Sequence, residues 1–327
     1  MSEVERIVKG RGFSYRHLPT KKTVKKHELR KWIESLAIPP AWKNVRIELS
    51  KSAKVLAWGR DEKNRKQYIY SPEWIKKRER IKFARMVSFG ESLTKMRRVT
   101  GQHLREEGPT RERVLACMVR LLDTAYFRPG SHRYSDENDT YGLTTMRGRH
   151  LDIENARLKF SYVGKSGQKQ QKVVEDERLV EAVEEISELP GYEIFQYLDE
   201  GGEKVNVTAR ILNSYIHEVM GDEFTAKDFR TWAGTYLAAE ATDELIDQDQ
   251  PKSFEKKQIA AIDRVATILG NTRSVAKANY INPVIFKKFK EGRTIRHYFK
   301  EAATELENDD ACSVEEKALL ALLKERS

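Results

Sequence analysis

The spacing of hydrophobic residues divides the chain into a short first part and a longer second part. In residues 1–88 the clearest helix is Lys26–Leu36, since the pair Pro39 and Pro40 stops it. Apolar residues in Lys54–Ser71 alternate on both sides of a polar turn, which predicts a β-hairpin. We therefore expect a small N-terminal domain that is rich in β-sheet.

Helical spacing dominates from residue 89 onward. Arg111–Phe127 is a strongly amphipathic segment between Pro109 and Pro129, which predicts a helix. Further helices are predicted at about 177–188, 206–219, 226–246, 254–269 and 272–280. Between 142 and 175 the period changes, and three short strands are predicted at Leu151–Ile153, Leu158–Val163 and Lys172–Val174. The fold class is therefore α+β, with domain 1–88 followed by a mainly α-helical domain 89–327 that carries a three-stranded sheet.

Charge is distributed unevenly along this pattern. The chain has 327 residues, with 60 Lys and Arg against 50 Asp and Glu, a net charge of +10. Residues 1–100 hold 27 basic and 10 acidic residues, a net +17, whereas residues 301–327 hold 3 and 8, a net −5. A basic domain suits nucleic acid, because neutralised phosphates release counterions. On charge alone, a solvated surface explains it equally well.

Composition excludes several other classes. Two cysteines make no disulfide framework, no run reaches the roughly 18 apolar residues of a membrane helix, and Met1–Lys9 has no apolar signal-peptide core. We expect a protein of the reducing cytoplasm. No zinc, metalloprotease or calcium motif is present, and a phosphate loop ending at Gly164–Ser166 would need a glycine where Lys159 stands. We therefore expect neither a metal nor a nucleotide cofactor.

The second strand of the hairpin carries aromatic residues next to basic ones. Tyr68 and Tyr70 share one face, and Gln67 and Ile69 share the other. Beside Lys66, the tyrosines suit base stacking or phosphate contact. The alternative is a tyrosine pair that covers a small core, and the residues alone favour that interpretation.

Five polar residues in the second part form the strongest functional signal. Each has an ordinary explanation when taken alone. The first arginine could be a charge at a helix end, the lysine an exposed turn residue, and the second arginine the partner of Asp228 or Glu240 in a surface ion pair. The asparagine could be a helix cap and the tyrosine a core residue. In chain order, and with the strand context of the lysine, they are Arg128, Lys165, Arg230, Asn271 and Tyr280.

This order resembles that of the type IB DNA topoisomerases, most closely the small poxvirus and bacterial forms. The nine-residue gap from Asn271 to Tyr280 matches, and the segment Arg128–Leu143 resembles the first catalytic segment of the family. The segment Gly59–Tyr70 resembles the family's DNA-contact strand. The resemblance covers nearly the whole chain. Where the viral proteins have a histidine, this chain has Asn271, which favours the bacterial branch and removes a proton donor.

The resemblance implies a function and a role for each residue. Tyr280 would attack a DNA phosphodiester and form a 3′-phosphotyrosyl link that conserves bond energy, so that resealing needs neither ATP nor metal. Arg128 and Arg230 would stabilise the transition state, Asn271 would donate a hydrogen bond to it, and Lys165 would protonate the leaving oxygen. By motif position, the implied DNA contacts are Lys66, Gln67, Tyr68, Tyr70 and Tyr134.

Two alternatives remain open at this point. Tyrosine recombinases share the nucleophile chemistry, but they usually have His-x-x-Arg where this chain has Lys227 three residues before Arg230. The second alternative is a DNA-binding protein that has this fold but no catalytic activity. The favoured interpretation is a monomer that clamps duplex DNA in the bacterial nucleoid. The acidic tail Glu301–Ser327 is predicted to be helical and either docks on the body or mimics the charge of DNA.

Overall fold

The computed structural model describes residues 3–246, 253–306 and 311–325, and the chain divides into two compact units, Met1–Ala84 and Arg85–Ser327. The first unit contains an antiparallel sheet, and the second is mainly helical with a small sheet. The predicted α+β class is confirmed. Among the described residues, no helix is both long and apolar enough to cross a lipid bilayer.

The first unit is a five-stranded antiparallel sheet with one short helix. Its elements are β1 (Glu3–Lys9), β2 (Gly12–His17), α1 (His27–Ser35), β3 (Lys43–Glu48), β4 (Val55–Arg60) and β5 (Lys66–Tyr70). The strand order β2-β1-β3-β4-β5 leaves β5 at an edge. Val4, Ile33 and Ile47 are at most 1% exposed and form the centre of the core. The predicted helix and hairpin are both confirmed.

The remaining α-helices and strands belong to the second unit, except that the first of them, the long helix α2, begins in the first unit. They are α2 (Pro72–His103), α3 (Arg111–Thr124), α4 (His132–Asn138), β6 (Leu151–Glu154), β7 (Arg157–Val163), β8 (Lys169–Val174), α5 (Glu177–Ser187), β9 (Gln196–Leu198), β10 (Lys204–Asn206), α6 (Ala209–Met220), α7 (Ala226–Ile246), α8 (Phe254–Leu269), α9 (Arg273–Asn279), α10 (Pro283–Lys290), α11 (Phe299–Leu306) and α12 (Val314–Lys324). The sheet β6-β7-β8 is antiparallel throughout. All the predicted helices and strands of this part form.

Helix α7 lies in the centre of the second unit. Its apolar side chains are buried on several faces, and the rings of Phe229 and Trp232 lie 5.1 and 6.2 Å from the ring of Phe89. A Cβ on Gly90 would lie 2.5 Å from the Trp232 ring, so a larger residue could not replace this glycine without movement. Because the core holds α7, its polar side chains, among them Arg230, start from fixed positions.

The prediction for α3 is wrong at its C-terminal end. The helix ends at Thr124, three residues before the predicted Phe127. Tyr126 adopts a left-handed backbone conformation, with φ 57°, which is incompatible with a continuing right-handed helix. The turn exposes the carbonyl of Tyr126 to a partner from another helix, described below.

The acidic tail docks on the second unit where the structure describes it. Ala318, Leu319 and Leu322 of α12 are at most 1% exposed. Glu316 accepts hydrogen bonds from Arg97 of α2 and, at 3.4 Å, from the indole of Trp232. Of the two alternatives for the tail, docking on the body is the one that this helix supports.

Candidate active site

The C-terminal end of α8 is the point where the candidate catalytic residues meet. Gly270 ends the helix with φ 59°, and the N–H of Asn271 donates to the carbonyl of Ala266 at 2.8 Å. This closing turn is the ordinary way in which glycine terminates a helix. It leaves the carbonyls of Ile268, Leu269 and Gly270 without intrahelical donors. We refer to these three groups as the carbonyl cluster.

Three cationic side chains from three different segments of the chain donate to the carbonyl cluster. Lys172 Nζ lies 3.1 Å from the Ile268 carbonyl, Arg230 Nη2 lies 2.7 Å from that of Leu269, and Arg128 Nη2 lies 2.9 Å from that of Gly270. The C-terminal end of a helix carries a partial negative charge, which favours cations at this position. Backbone groups of one helix turn thus hold two of the predicted site residues and a third cation.

Arg230 is almost completely buried, at 2% exposure. Its second terminal nitrogen donates to the carbonyl of Tyr126, and its Nε is buried without a partner in the described part of the chain. Burial and the adjacent charge of Arg128 lower the pKa of Arg230 to about 10. The surface pair with Asp228 does not form, because Asp228 contacts Arg85 at 3.4 Å and Thr225 instead.

Tyr280 directly follows α9 and lies beside Arg230. The guanidinium carbon of Arg230 is 5.1 Å from the centre of the half-buried tyrosine ring. Burial acts to raise the pKa of Tyr280, but the charges of Arg230, Arg128 and Lys227 outweigh it, so that the pKa is lowered from its ordinary value. A phenol with a lowered pKa loses its proton more readily, as a nucleophile must.

Two small residues of α7 hold the backbone of Tyr280. A Cβ on Gly234 would lie 2.7 Å from both the Cβ and the carbonyl oxygen of Tyr280, so only glycine permits this approach. The Thr235 hydroxyl donates to the Tyr280 carbonyl at 3.1 Å and accepts from the N–H of Asn282 at the same distance. These contacts fix the tyrosine on the same helix that carries Arg230.

Asn271 bridges the glycine turn and Arg128. Its side-chain Oδ1 accepts a hydrogen bond from Arg128 Nη2 at 2.6 Å. Its Nδ2 has only a long contact of 3.4 Å, to the carbonyl of Leu269. The residue therefore also takes part in the helix-ending turn, so the helix-cap interpretation and a role in the site are compatible. The geometry leaves the amide nitrogen suited to donate to an oxygen of a ligand.

Lys165 lies on the turn that follows β7, between β7 and β8. The turn is tight, with φ of 63° at Ser166 and 72° at Gly167. The lysine side chain is exposed, and no described residue accepts a hydrogen bond from it. The structure thus brings Arg128, Arg230, Asn271 and Tyr280 together and leaves Lys165 on the rim of its hairpin.

The predicted DNA-contact strand β5 presents an aromatic and cationic face. The rings of Tyr68 and Tyr70 are stacked at 5.9 Å and are 43% and 38% exposed, so the core-covering interpretation is wrong. Lys66 Nζ lies 4.2 Å from the ring of Trp58 and 5.3 Å from that of Tyr68. Exposed stacked rings beside an ammonium group are typical of surfaces that bind nucleic acid.

Two of the predicted DNA contacts lie elsewhere. Gln67 is on the opposite face of β5, where its amide donates to Asp61 at 2.9 Å. Tyr134 belongs to α4, and its side chain lies outside the described part of the structure. For both, a contact with DNA stays a prediction.

Sequence reasoning did not list Lys172 or Gly234 as site residues, nor Lys227, whose charge acts on Tyr280. Gly234 could have been noticed as a glycine within the helix Ala226–Ile246, where glycine costs roughly 1 kcal/mol relative to alanine. Lys172 carried no such signal, because strand β8 contains two lysines and two glutamines that the sequence does not distinguish by role.

Comparison with known proteins places this chain in a family. Residues 66–307 match the model of the eukaryotic DNA topoisomerase I catalytic core, and residues 12–61 match that of the bacterial DNA topoisomerase IB N-terminal domain. DNA topoisomerase 1B of Acanthamoeba polyphaga mimivirus is 31% identical over 288 residues, which are 86% of this chain and 85% of that protein. DNA topoisomerase 1B of vaccinia virus (strain Copenhagen) is 24% identical over 71% of this chain and 72% of that protein. With the catalytic-core model covering most of the sequence and the mimivirus relative matching nearly end to end, this chain belongs to the type IB DNA topoisomerases.

Proposed function

We propose that this enzyme relaxes supercoiled duplex DNA through a covalent bond between Tyr280 and a 3′-phosphate. The observation that carries the proposal is the position of Tyr280 beside Arg230, with Arg128 and Asn271 held at the same helix end. Tyr280 Oη attacks the phosphorus, a phosphotyrosyl ester forms, and the bond to the 5′ oxygen breaks. The free strand rotates about the intact one, and its 5′ hydroxyl then attacks the ester to restore the phosphodiester and release the tyrosine.

The two arginines supply the charge that the reaction needs. Attack on a phosphodiester adds negative charge to the nonbridging oxygens, and a guanidinium group can donate to two oxygens at once. Arg128 and Arg230 are held by neutral carbonyls, so their positive charges are not cancelled before DNA binds. Preorganised charge of this kind stabilises a transition state without reorganisation. The amide of Asn271 donates to one of the same oxygens.

Lys165 acts as the general acid in this proposal. Its ammonium group is exposed on a tight turn, and on DNA binding it would reach the leaving 5′ oxygen and deliver a proton to it as the bond breaks. In a substrate with sulfur in place of the 5′-bridging oxygen, the leaving sulfur departs without a proton. This substrate should therefore restore cleavage by the Lys165→Ala variant. If the sulfur substrate gives no recovery, Lys165 is not the acid.

We further propose that the enzyme acts as a monomer on DNA in the bacterial nucleoid, with the first unit contributing phosphate and base contacts. Arg128, Arg230, Asn271 and Tyr280 meet within one chain, so no second copy is needed to supply the nucleophile. The exposed strip of Lys66, Tyr68 and Tyr70 supports a DNA contact in the first unit. Light scattering of the enzyme on a short duplex gives the stoichiometry, and a 2:1 complex as the active species would contradict the monomer.

The test is relaxation of a supercoiled plasmid without added ATP or divalent metal. The wild-type enzyme should relax positive and negative supercoils, and denaturation during turnover should trap protein on the 3′ end. Tyr280→Phe should form no adduct and still bind DNA, because only the attacking oxygen is removed. An adduct formed by Tyr280→Phe would show that another residue is the nucleophile.

A further inference from the structure

Lys172 is a third cation at the helix end that holds the two arginines. It lies on β8 opposite Phe160 of β7, so both side chains are on the same face of the sheet, and Phe160 is fully buried. The ammonium group of Lys172 donates to the Ile268 carbonyl at 3.1 Å. The next two carbonyls along the chain accept from Arg230 and Arg128.

The surroundings of Lys172 do not favour a charged side chain. Arg128 approaches from the segment after α3 and Arg230 from α7, while Tyr162 on the same face of β7 has its pKa raised by burial to about 12. Helix α8 contributes only neutral carbonyl oxygens, and no carboxylate among the described residues pairs with Lys172. Burial and the two guanidinium groups lower the pKa of Lys172 to about 8. An apolar residue of similar length would be less costly at this position, which argues for a functional reason.

We propose that Lys172 is a positioning residue of the active site, whose hydrogen bond to Ile268 fixes the last turn of α8 and thereby the directions of Arg230 and Arg128. This proposal rests on the function proposed above. The three cations share one short backbone segment, so a rotation of that turn would move both guanidinium groups together. A bound phosphate would offset the mutual repulsion of the cations, and the arrangement is therefore most favourable when the scissile group is in place.

The test compares Lys172→Met, which keeps length and removes charge, with Lys172→Arg, which keeps charge. Lys159→Met is the matched control, because Lys159 lies on the neighbouring strand with a side chain that is 44% exposed and paired with Glu154. The measurements are the single-turnover cleavage rate on a short duplex from pH 6 to 10, noncovalent DNA affinity in a Tyr280→Phe background, and the melting temperature.

We expect Lys172→Met to cleave on the order of 10- to 100-fold more slowly at neutral pH, as misplaced catalytic groups do, with unchanged DNA affinity. Lys172→Arg should recover part of the rate. In the wild type, the rate should decline on the alkaline side as Lys172 loses its proton. In Lys172→Arg, which stays charged at this position, the decline should begin only at a higher pH, where Arg230 loses its proton. The control should match the wild type throughout.

Three results would overturn the proposal. They are a wild-type cleavage rate and pH profile in Lys172→Met, a loss confined to DNA affinity or melting temperature, and a Lys172→Arg variant no faster than Lys172→Met. A wild-type enzyme that forms no adduct through Tyr280 would instead contradict the proposed function, so the two failures can be told apart.

Discussion

Two arginines of the second unit that are largely removed from solvent, Arg97 and Arg230, are held in opposite ways. Arg97 of α2 donates to Asp123 at 2.7 and 3.0 Å and to Glu316 at 2.6 and 2.8 Å. Burial lowers its pKa, but the two carboxylates outweigh this and raise it. Arg230 donates to two backbone carbonyls, and its pKa is lowered to about 10.

The difference separates a structural arginine from one that is available to a ligand. The charge of Arg97 is neutralised by two partners within the fold, so it connects α2, α3 and α12 and has little attraction left for phosphate. A carbonyl orients a guanidinium group without cancelling its charge, and Arg230 therefore keeps its attraction for an anion. The partner of a buried arginine, more than its burial, indicates its role.

The largest effect on stability should come from Arg97→Met. This substitution leaves Asp123 and Glu316 as buried carboxylates without a cation, and breaking such a cluster costs about 3–5 kcal/mol. The free energy of unfolding, measured by urea denaturation, should fall by this amount, while the folded fraction cleaves DNA at the wild-type rate. Arg264→Met is the control, since the exposed pair of Arg264 with Glu244 should be worth at most about 1 kcal/mol. Equal losses in the two variants would contradict the structural role of Arg97.

Arg230→Ala should show the reverse pattern, with a large loss of cleavage rate and a small loss of stability. Loss of one preorganised donor to the transition state lowers the rate by about 10²- to 10³-fold, or about 3–4 kcal/mol. Because the partners of Arg230 are carbonyls, the variant should lose less stability than Arg97→Met. Single-turnover cleavage and urea denaturation on the same samples give both quantities. If Arg230→Ala unfolds readily but cleaves at the wild-type rate, Arg230 would be a structural arginine like Arg97, and the proposed difference between the two would be wrong.

The substitution Asn271→Asp would give Arg128 a carboxylate partner, as Arg97 has, in place of a neutral acceptor. A carboxylate at this position would pair with Arg128, whose Nη2 now donates to Asn271 Oδ1 at 2.6 Å. Asn271→Ala loses a hydrogen bond to a charged group, worth about 1.5–3 kcal/mol, and should cleave correspondingly more slowly. The aspartate should cleave more slowly than the alanine, because its charge competes with the phosphate. An aspartate variant as active as the wild type would show that the charge of Arg128 is not used.

The smallest effect that we expect is the pH dependence of the folding stability contributed by Arg97 and its two carboxylate partners, Asp123 and Glu316. Burial acts to raise the pKa of Glu316, but Arg97 outweighs it, and the folded-state pKa is lower than the ordinary value of 4.5. The stabilisation by Glu316 is therefore complete above pH 4.5 and is lost as the pH falls through the folded pKa. The stability difference between the wild type and Glu316→Gln should shrink between pH 5 and pH 3 in thermal melts. A difference that stays constant over this range would contradict the assignment.

The sequence predicted the elements and most of the site because these depend on local patterns. Periodicity located α7 and α8 to the residue, and motif order identified the four residues that meet at the end of α8. Periodicity did not reveal the early end of α3, since the left-handed Tyr126 is favoured by its tertiary contact with Arg230. The contact of Lys172 was hidden for the same reason, because its acceptor is the carbonyl of Ile268, 96 residues further along the chain.

The three carbonyls that accept from Lys172, Arg230 and Arg128 belong to the main chain, so they are independent of the side chains at their own positions. Ile268 and Leu269 can be exchanged for other apolar residues during evolution without altering the oxygens that they present. Gly270 has no such freedom, since a Cβ there would lie 2.6 Å from the amide of Gln170 and its φ is left-handed. The geometry of this helix end therefore constrains its backbone and Gly270 more than it constrains the two apolar side chains before the glycine.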